Sequence, residues 1–208
     1  MLRVETRDNC CVICLSRPEK ANALTADMLD SLAKAVAQAS VSGAKAMILT
    51  GEGKVFSAGA DLDEMRVGLG HSPAWEAASG AISAFPGLTI AALNGTLAGG
   101  ATGIALACDI RIAVPQAQFF YPVMRLGYRP QPSDPGRLAA LVGPSRARMI
   151  LLAGQRIGAE EALAWGLIDR IVPSENLATE AWALAADALA ADQAHVLALK
   201  RMTQGEVL

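Results

Sequence analysis

Two glycine-rich stretches, Phe56-Ser-Ala-Gly-Ala-Asp-Leu62 and Asn94-Gly-Thr-Leu-Ala-Gly-Gly-Ala-Thr-Gly-Ile-Ala-Leu-Ala-Cys-Asp109, decide the predicted fold. Each follows an apolar run typical of a strand, at residues 46–50 and 88–93, and each continues into a segment with helical character. Small residues at such a turn let backbone N–H groups approach a ligand closely. The two stretches therefore predict paired backbone donors that face one ligand oxygen.

Around these stretches, strands and helices are predicted to alternate. A hairpin over 2–16 turns at Asp8 and Asn9, and a helix begins after Thr25, which is a favourable capping residue. Further strands are predicted at 109–114 and 117–120, and further helices at 72–85, 135–142, 144–153, 159–165, 174–191 and 192–202. This alternation favours an α/β fold with parallel strands.

The composition is that of one globular domain. The chain has 208 residues, of which 52% are hydrophobic and 18% charged, and a net charge of −2. No basic excess points to nucleic acid or a membrane surface, and no apolar run reaches the roughly 20 residues of a membrane span. The first residues do not resemble a signal peptide. We therefore expect a cytoplasmic protein with no nucleic-acid or membrane partner.

The cysteines and histidines do not predict a metal site. Cys11 and Cys14 have C-x-x-C spacing, but they lie in a predicted strand, where residues three apart face opposite sides. His71 and His195 are far apart and have no ligand partners nearby in the sequence. We expect small buried strand residues and no metal.

The chain resembles the crotonase superfamily, the enoyl-CoA hydratase/isomerase group. The similarity runs from about Arg17 to Lys200 and includes Arg17-Pro-Glu-Lys-Ala-Asn-Ala-Leu24, both glycine-rich stretches, and Ala117-Gln-Phe119 with Pro122 and Gly127. The resemblance implies an α/β crotonase-type spiral of repeated ββα units with C-terminal helices, shortened at the C-terminus. We expect a single structural unit, in which residues 1–172 form the spiral core and residues 173–208 form a truncated C-terminal helical segment.

The resemblance also implies a ligand. An acyl-CoA thioester is expected to place its carbonyl oxygen between the N–H groups of Ala60 and Gly100. Coenzyme A would come with the substrate, so no separate cofactor is expected. A homotrimer or hexamer is implied, although the C-terminal helices that form the family's lid and trimer contact are shortened here. The other residues implied to bind the substrate are Lys20, Ala21, Ala23, Lys54, Ala58, Asp61, Leu62, Gly99, Gly103 and Val123.

The chain has fewer basic side chains for the phosphates of coenzyme A than the resemblance implies. Glu19 and Asp63 stand where relatives often have lysine. Phosphates prefer cationic partners. Lys20, Arg66 and Arg129 are alternative partners, although a solvated surface role is equally compatible with each of them.

The groups that move protons in the family's hydratases are replaced. Hydratases hold a water between two glutamates, and these positions fall on Gly103 and Val123; a third position, an aspartate in dienoyl isomerases and dehalogenases, falls on Gln131. Glycine and valine cannot transfer a proton. The standard hydratase mechanism and the one-glutamate isomerase mechanism are therefore both disfavoured.

Other side chains are candidates for this role. Glu76 is the leading one, because a helix carboxylate beside Trp75 would be partly desolvated and suited to proton transfer. Each of the remaining candidates is more simply interpreted as a surface or hydrogen-bonded residue. These are Glu64, Tyr121, Arg125, Tyr128 and Asp134.

Competing motifs fail on their spacing. Gly51-Glu-Gly-Lys54 is followed by Val55 and lacks the hydroxyl residue of a phosphate-binding loop. The glycines at 95–103 do not fit a dinucleotide fingerprint, and Ser57 lacks the glycine pattern of a nucleophile elbow.

Two hypotheses remain. One is an enzyme that forms an enolate from an acyl-CoA through non-standard acid/base residues. The alternative is a catalytically silent acyl-CoA-binding or assembly subunit.

Overall fold

A computed structural model describes residues 1–203 and 205, and in it two strands followed by a helix recur along the chain. The strands are β1 (Leu2–Arg7), β2 (Cys10–Leu15), β3 (Ala46–Gly51), β4 (Val55–Ser57), β5 (Leu88–Leu93), β6 (Thr96–Ala98), β7 (Ile110–Ala113), β8 (Gln118–Phe120), β9 (Ile157–Gly158) and β10 (Arg170–Ile171). The helices are α1 (Ala26–Val41), α2 (Leu62–Arg66), α3 (Ala74–Ser83), α4 (Ala101–Leu106), α5 (Val123–Leu126), α6 (Asp134–Leu151), α7 (Ala159–Trp165), α8 (Leu177–Ala190) and α9 (Gln193–Thr203). Short 3-10 turns lie at Pro18–Lys20, Leu69–His71 and Ser174–Asn176.

The strands form two sheets. The larger sheet has the order β1-β2-β3-β5-β7-β10, and the smaller has the order β4-β6-β8-β9. The β1–β2 hairpin is antiparallel, whereas β2, β3, β5 and β7 pair in parallel. Both strands of the first unit, β1 and β2, lie in the larger sheet. In the pairs β3/β4, β5/β6 and β7/β8 the first strand joins the larger sheet and the second joins the smaller one, so the chain advances as a spiral. The predicted α/β spiral of ββα units is confirmed.

The central strands of the larger sheet are buried on both faces, whereas the edge strand β1 is largely exposed. In β3, the four residues at 46–49 are all buried, as expected for a parallel strand covered on two sides. Helix α8 packs on β3 and β5, and α1 packs on β1, β2 and α3. Thr25 caps α1, because its hydroxyl accepts a hydrogen bond from Met28 N at 3.1 Å. The predicted hairpin and the predicted start of α1 are therefore both present.

Helix α6 contains a break that the sequence predicted. Gly143 has φ 80° and ψ 159°, which is not helical, and Pro144 follows it. Two helical segments therefore meet at this residue, in agreement with the separate helices predicted at 135–142 and 144–153.

The cysteines lie where the strand pattern placed them. Cys11 is buried and Cys14 is half-buried on β2, and all four cysteines are free thiols. Burial raises the pKa of Cys10 to about 11 and that of Cys108 to about 12, so these thiols are protonated near neutral pH.

The C-terminal helix α9 is fixed to the sheet by Lys200. Its Nζ donates to Phe85 O at 3.0 Å, to Gly87 O at 3.1 Å and to Asp109 Oδ2 at 2.8 Å. Residues 204 and 206–208, where the predicted C-terminal segment ends, lie outside the described residues, and the division at 172/173 stays a prediction. None of the helices within residues 1–203 is long and apolar enough to cross a bilayer.

We predict that Lys200→Met lowers the free energy of unfolding by about 2 kcal/mol, because two carbonyl oxygens lose the Lys200 donor and Asp109 loses its cationic partner, keeping only the hydrogen bonds from Thr89. Urea unfolding followed by tryptophan fluorescence measures the loss. Lys34→Met on the exposed face of α1 is the matched control and should change little. Equal losses in the two variants would contradict the prediction.

Candidate active site

The two glycine-rich stretches meet at Gly59 and Gly99. A Cβ atom on Gly59 would lie 2.9 Å from Ala98 O and 3.3 Å from Gly99 Cα, and Gly59 also has φ 97°. Only glycine combines this backbone conformation with so close a backbone neighbour. The contact brings the next residue of each stretch, Ala60 and Gly100, to the wall of one cavity.

The backbone N–H groups of Ala60 and Gly100 are available to a ligand. Within residues 1–203 and 205, neither N–H donates to a protein acceptor, although the neighbouring Gly59 N, Asp61 N and Gly99 N all do. Buried or half-buried backbone donors are nearly always paired. Two unpaired donors on one cavity wall are therefore a candidate binding site for a ligand oxygen.

The loop that carries Ala60 is held by the segment that precedes α1. Ala58 N donates to Ala21 O at 2.9 Å, and Leu24 N donates to Gly59 O at 2.7 Å. Asn22 is fully buried between them, and its Nδ2 donates to Val55 O at 2.8 Å. The two segments that the resemblance assigned to one ligand thus lie against each other.

Asp61 has a structural role in this loop. Its carboxylate accepts a hydrogen bond from Arg17 Nη1 at 2.7 Å and caps α2 by accepting from the backbone N–H groups of Asp63 and Glu64. The Arg17 guanidinium lowers the pKa of this carboxyl. The sequence analysis did not find the pairing, because Arg17 and Asp61 belong to different segments of the chain.

The cavity has a volume of about 420 Å³ and a mostly apolar wall. Trp75 covers Gly100 so closely that a Cβ atom on Gly100 would lie 2.9 Å from the indole ring, and Trp75 Nε1 donates to Leu69 O at 2.9 Å. The ionisable side chains on the wall are Arg66, Tyr121, Tyr128 and Arg129. Among the described residues, no aspartate, glutamate or histidine lines it.

The predicted site residues divide into two groups. Those on the cavity wall are Ala58, Ala60, Leu62, Gly99, Gly100 and Val123. Those outside the wall are Lys20, Ala21, Ala23, Lys54, Asp61, Glu76 and Gly103. Lys20 and Lys54 are exposed to solvent. The roles that the sequence analysis gave to all of these residues stay predictions.

Glu76 is directed toward the start of α6. Its Oε1 accepts from Ser133 N at 3.0 Å and from Ser133 Oγ at 2.9 Å. The carboxylate is thus hydrogen-bonded at the first turn of α6, where negative charge is favourable. Its proposed part in proton transfer stays a prediction.

Asp134, at the start of α6, is buried behind the cavity wall. Its side chain is 1% exposed, and Oδ2 accepts a hydrogen bond from the Tyr121 hydroxyl at 2.9 Å. A Cβ atom on Gly103 would lie 2.1 Å from Asp134 Oδ1, so the carboxylate occupies the space of a side chain at 103. Glycine at 103 is therefore required for this arrangement.

The surroundings of Asp134 favour its neutral form. Burial raises the pKa of this carboxyl to about 6, and Glu76 adds to the increase, whereas the Tyr121 hydrogen bond and Arg137 oppose it. Burial and the Asp134 carboxylate also raise the pKa of Tyr121. Asp134 consequently exchanges its proton closer to neutral pH than an ordinary aspartate does.

Comparison with known proteins gives the family. The enoyl-CoA hydratase/isomerase family model matches residues 5–207. The chain belongs to this family, within the crotonase superfamily.

Individual relatives agree with this assignment. The chain is 35% identical over 179 residues to the probable enoyl-CoA hydratase echA8 of Mycobacterium tuberculosis, which covers 84% of this chain and 69% of the relative. Among solved structures, DspI of Pseudomonas aeruginosa superposes with a TM-score of 0.90 at 32% identity, covering 98% of this chain and 86% of that one. An enoyl-CoA hydratase of Bacillus anthracis gives a TM-score of 0.89 at 31% identity, covering 98% and 82%.

We predict that Gly103→Ala lowers the free energy of unfolding by about 1–3 kcal/mol, because the new methyl group overlaps the Asp134 carboxylate. Gly80→Ala is the matched control: Gly80 also lies inside a helix, and a Cβ atom there meets nothing within 4 Å. It should gain about 0.5–1 kcal/mol from helix propensity. Denaturant unfolding measures the free energy of unfolding of both variants. A Gly103→Ala variant more stable than the wild type would contradict the contact between Gly103 and Asp134.

A second prediction concerns pH. Asp134 ionises at about 6 in the folded protein against an ordinary 3.8, so between these values the folded state holds a proton that the unfolded chain has lost. Its contribution to stability is complete below about pH 4 and is lost as pH rises to about 6, by up to about 3 kcal/mol.

Asp134→Asn removes this decline. We expect the difference in unfolding free energy between variant and wild type to grow in favour of the variant from pH 4.5 to 7.5. Tyr121, Glu76 and Arg137 face the carboxyl and remain in both proteins, so the difference isolates Asp134. A difference that does not vary with pH would contradict the prediction.

Proposed function

We propose that the cavity binds an acyl-CoA thioester and holds its carbonyl oxygen against the N–H groups of Ala60 and Gly100. The observation that carries this proposal is the pair of unpaired backbone donors on one wall. Two N–H groups that converge on one oxygen stabilise negative charge that develops there. Membership of the enoyl-CoA hydratase/isomerase family supports the same ligand class.

The reaction that fits these donors passes through an enolate. Removal of a proton, or of carbon dioxide, next to a thioester carbonyl moves charge onto the carbonyl oxygen, where a donor contributes about 3–4 kcal/mol to transition-state stabilisation. Isomerisation, decarboxylation and hydration all belong to this class. Because Gly103 and Val123 carry no proton-transfer group, the acid/base residues would be non-standard ones.

The rest of the cavity suits the two ends of such a substrate. Trp75, Met65 and Leu126 give an apolar wall for the acyl chain, and Arg66 and Arg129 supply positive charge for phosphates. Coenzyme A would enter as part of the substrate, without a further cofactor.

A homotrimer or hexamer is retained as part of the proposal. It is supported by the resemblance and by two exposed apolar side chains, Met124 and Leu152, that line one surface pocket.

A catalytically silent acyl-CoA binder is the second candidate. One observation favours it: among the described residues, no carboxylate or imidazole lines the cavity. Binding without any exchange of substrate protons would support this alternative, whereas rapid hydration of crotonyl-CoA would contradict our interpretation of Gly103 and Val123.

The carbonyl contact is tested with butyryl-CoA labelled with ¹³C at the thioester carbonyl. We expect calorimetry to detect binding, and the infrared carbonyl band to move to lower frequency in the complex. The control ligand is the S-butyl thioether of coenzyme A, which has the same chain length as butyryl-CoA but no carbonyl group. It should bind about tenfold more weakly, since two hydrogen bonds are lost. Absence of binding, or equal binding of both ligands without a band shift, would contradict the proposed contact.

A further inference from the structure

We propose that Tyr121 and Asp134 form the proton-transfer pair of this site, with the Tyr121 hydroxyl meeting the substrate and Asp134 taking up the proton that passes through it. This inference rests on the proposed binding of a thioester at Ala60 and Gly100. It assigns the acid/base function to two residues that the sequence analysis named as candidates but interpreted more simply as surface or hydrogen-bonded residues.

The first argument is position. Tyr121 lines the same cavity as Ala60, Gly100 and Trp75. Its hydroxyl donates to Asp134 Oδ2 at 2.9 Å, so the carboxylate lies one hydrogen bond behind the tyrosine oxygen. A proton can therefore move between the tyrosine and the buried aspartate without passing through bulk water.

The second argument is the space at Gly103. The Asp134 carboxylate lies where a Cβ atom of residue 103 would be, at 2.1 Å from Oδ1 and 2.6 Å from Cγ. Gly103 is three residues after Gly100, so both lie on one face of the turn that opens α4. The carboxylate is thus packed against the helical turn that begins at Gly100, whose backbone N–H is one of the two donors proposed to bind the substrate carbonyl oxygen.

The third argument is an unsatisfied oxygen. Within the described part of the chain, Asp134 Oδ1 has no hydrogen-bond partner although it is buried, and the same holds for Nη1 of Arg137, which interacts electrostatically with this carboxyl. Burying an unpaired carboxylate oxygen costs free energy that a purely structural aspartate would avoid. Such costs concentrate at functional sites.

The electrostatic surroundings suit a group that exchanges protons. Glu76 on α3 and the phenol of Tyr121 face Asp134 from neighbouring elements, and Arg137 faces it from α6 itself. Burial and Glu76 oppose ionisation, whereas Arg137 and the phenol favour it. The balance gives a carboxyl that is ionised at neutral pH yet accepts a proton more readily than an ordinary aspartate.

The step is balanced in protons and electrons. The bond between the substrate α-carbon and its hydrogen breaks, and the proton moves to the Tyr121 oxygen while the tyrosine's own proton moves to Asp134 Oδ2. The electron pair of the broken bond forms the enolate, whose charge rests on the carbonyl oxygen at Ala60 and Gly100. Tyr121 ends neutral and Asp134 protonated, and the reverse path returns a proton to carbon. No oxidant or further reactant is needed.

The test follows exchange of the α-hydrogens of butyryl-CoA in D₂O by mass spectrometry, with binding of butyryl-CoA measured by calorimetry on the same proteins. We expect exchange by the wild type, and a loss of about 100-fold or more in Asp134→Asn and in Tyr121→Phe with affinity changed less than about threefold. Asp30→Asn, on the exposed face of α1, is the matched carboxylate control and should exchange like the wild type.

The pH profile separates proton transfer from a merely structural effect. Since Asp134 must be ionised to accept the proton, the wild-type exchange rate should rise through about pH 6 and then level off, and the residual rate of Asp134→Asn should lack this rise. Thermal melts check that the variants are folded. If Asp134→Asn does not fold, Tyr121→Phe still tests the pair, because it interrupts the path and keeps the carboxylate.

The outcomes distinguish this inference from the function on which it depends. Failure of the wild type to bind butyryl-CoA overturns the proposed function itself. Binding with no exchange by the wild type, or exchange by Asp134→Asn at the wild-type rate, overturns the pair and leaves thioester binding intact. Loss of exchange in Glu76→Gln but not in Asp134→Asn also overturns it, and assigns the role to Glu76.

Discussion

The close backbone contact between Gly59 and Gly99 is the constraint on which the site depends. A Cβ atom on Gly59 would come within 2.9 Å of Ala98 O, so the two loops can meet only where glycine stands. Parallel pairing of β4 with β6 delivers both loops to the same edge of the smaller sheet. Because the contact uses backbone atoms on both sides, it positions the N–H groups of Ala60 and Gly100 independently of their side chains.

A polar layer that includes Glu76 and Asp134 lies behind the cavity wall. Helices α3, α4 and α6 bring together Glu76, Gly103 and Asp134, and Tyr121 links the layer to the cavity. The absence of a side chain at Gly103 on α4 leaves the space that the Asp134 carboxylate occupies. The same glycine that removes a side chain from α4 thus admits a carboxylate from α6, so one position in the sequence determines the chemistry available at another.

Much of the fold was predictable from the sequence because it depends on local pattern. The break at Gly143 and Pro144, the cap at Thr25 and the hairpin at Asp8 and Asn9 are all set by residues within a few positions of one another. The boundaries of most elements differ from the predicted ones by only a few residues, since alternation and helical spacing extend over whole segments.

The sequence by itself predicted the alternation of strands and helices, the two glycine-rich loops and the absence of a side chain at position 103, and its resemblance to the crotonase superfamily supplied the spiral arrangement. Only the tertiary structure decided what fills that space and which side chains are hydrogen-bonded. Tyr121 and Asp134 are 13 residues apart, and Gly103 belongs to a different ββα unit, so neither periodicity nor spacing relates them. Their contact follows from the packing of α4 against α6, and the shifted pKa of Asp134 follows from burial, a property of the whole fold.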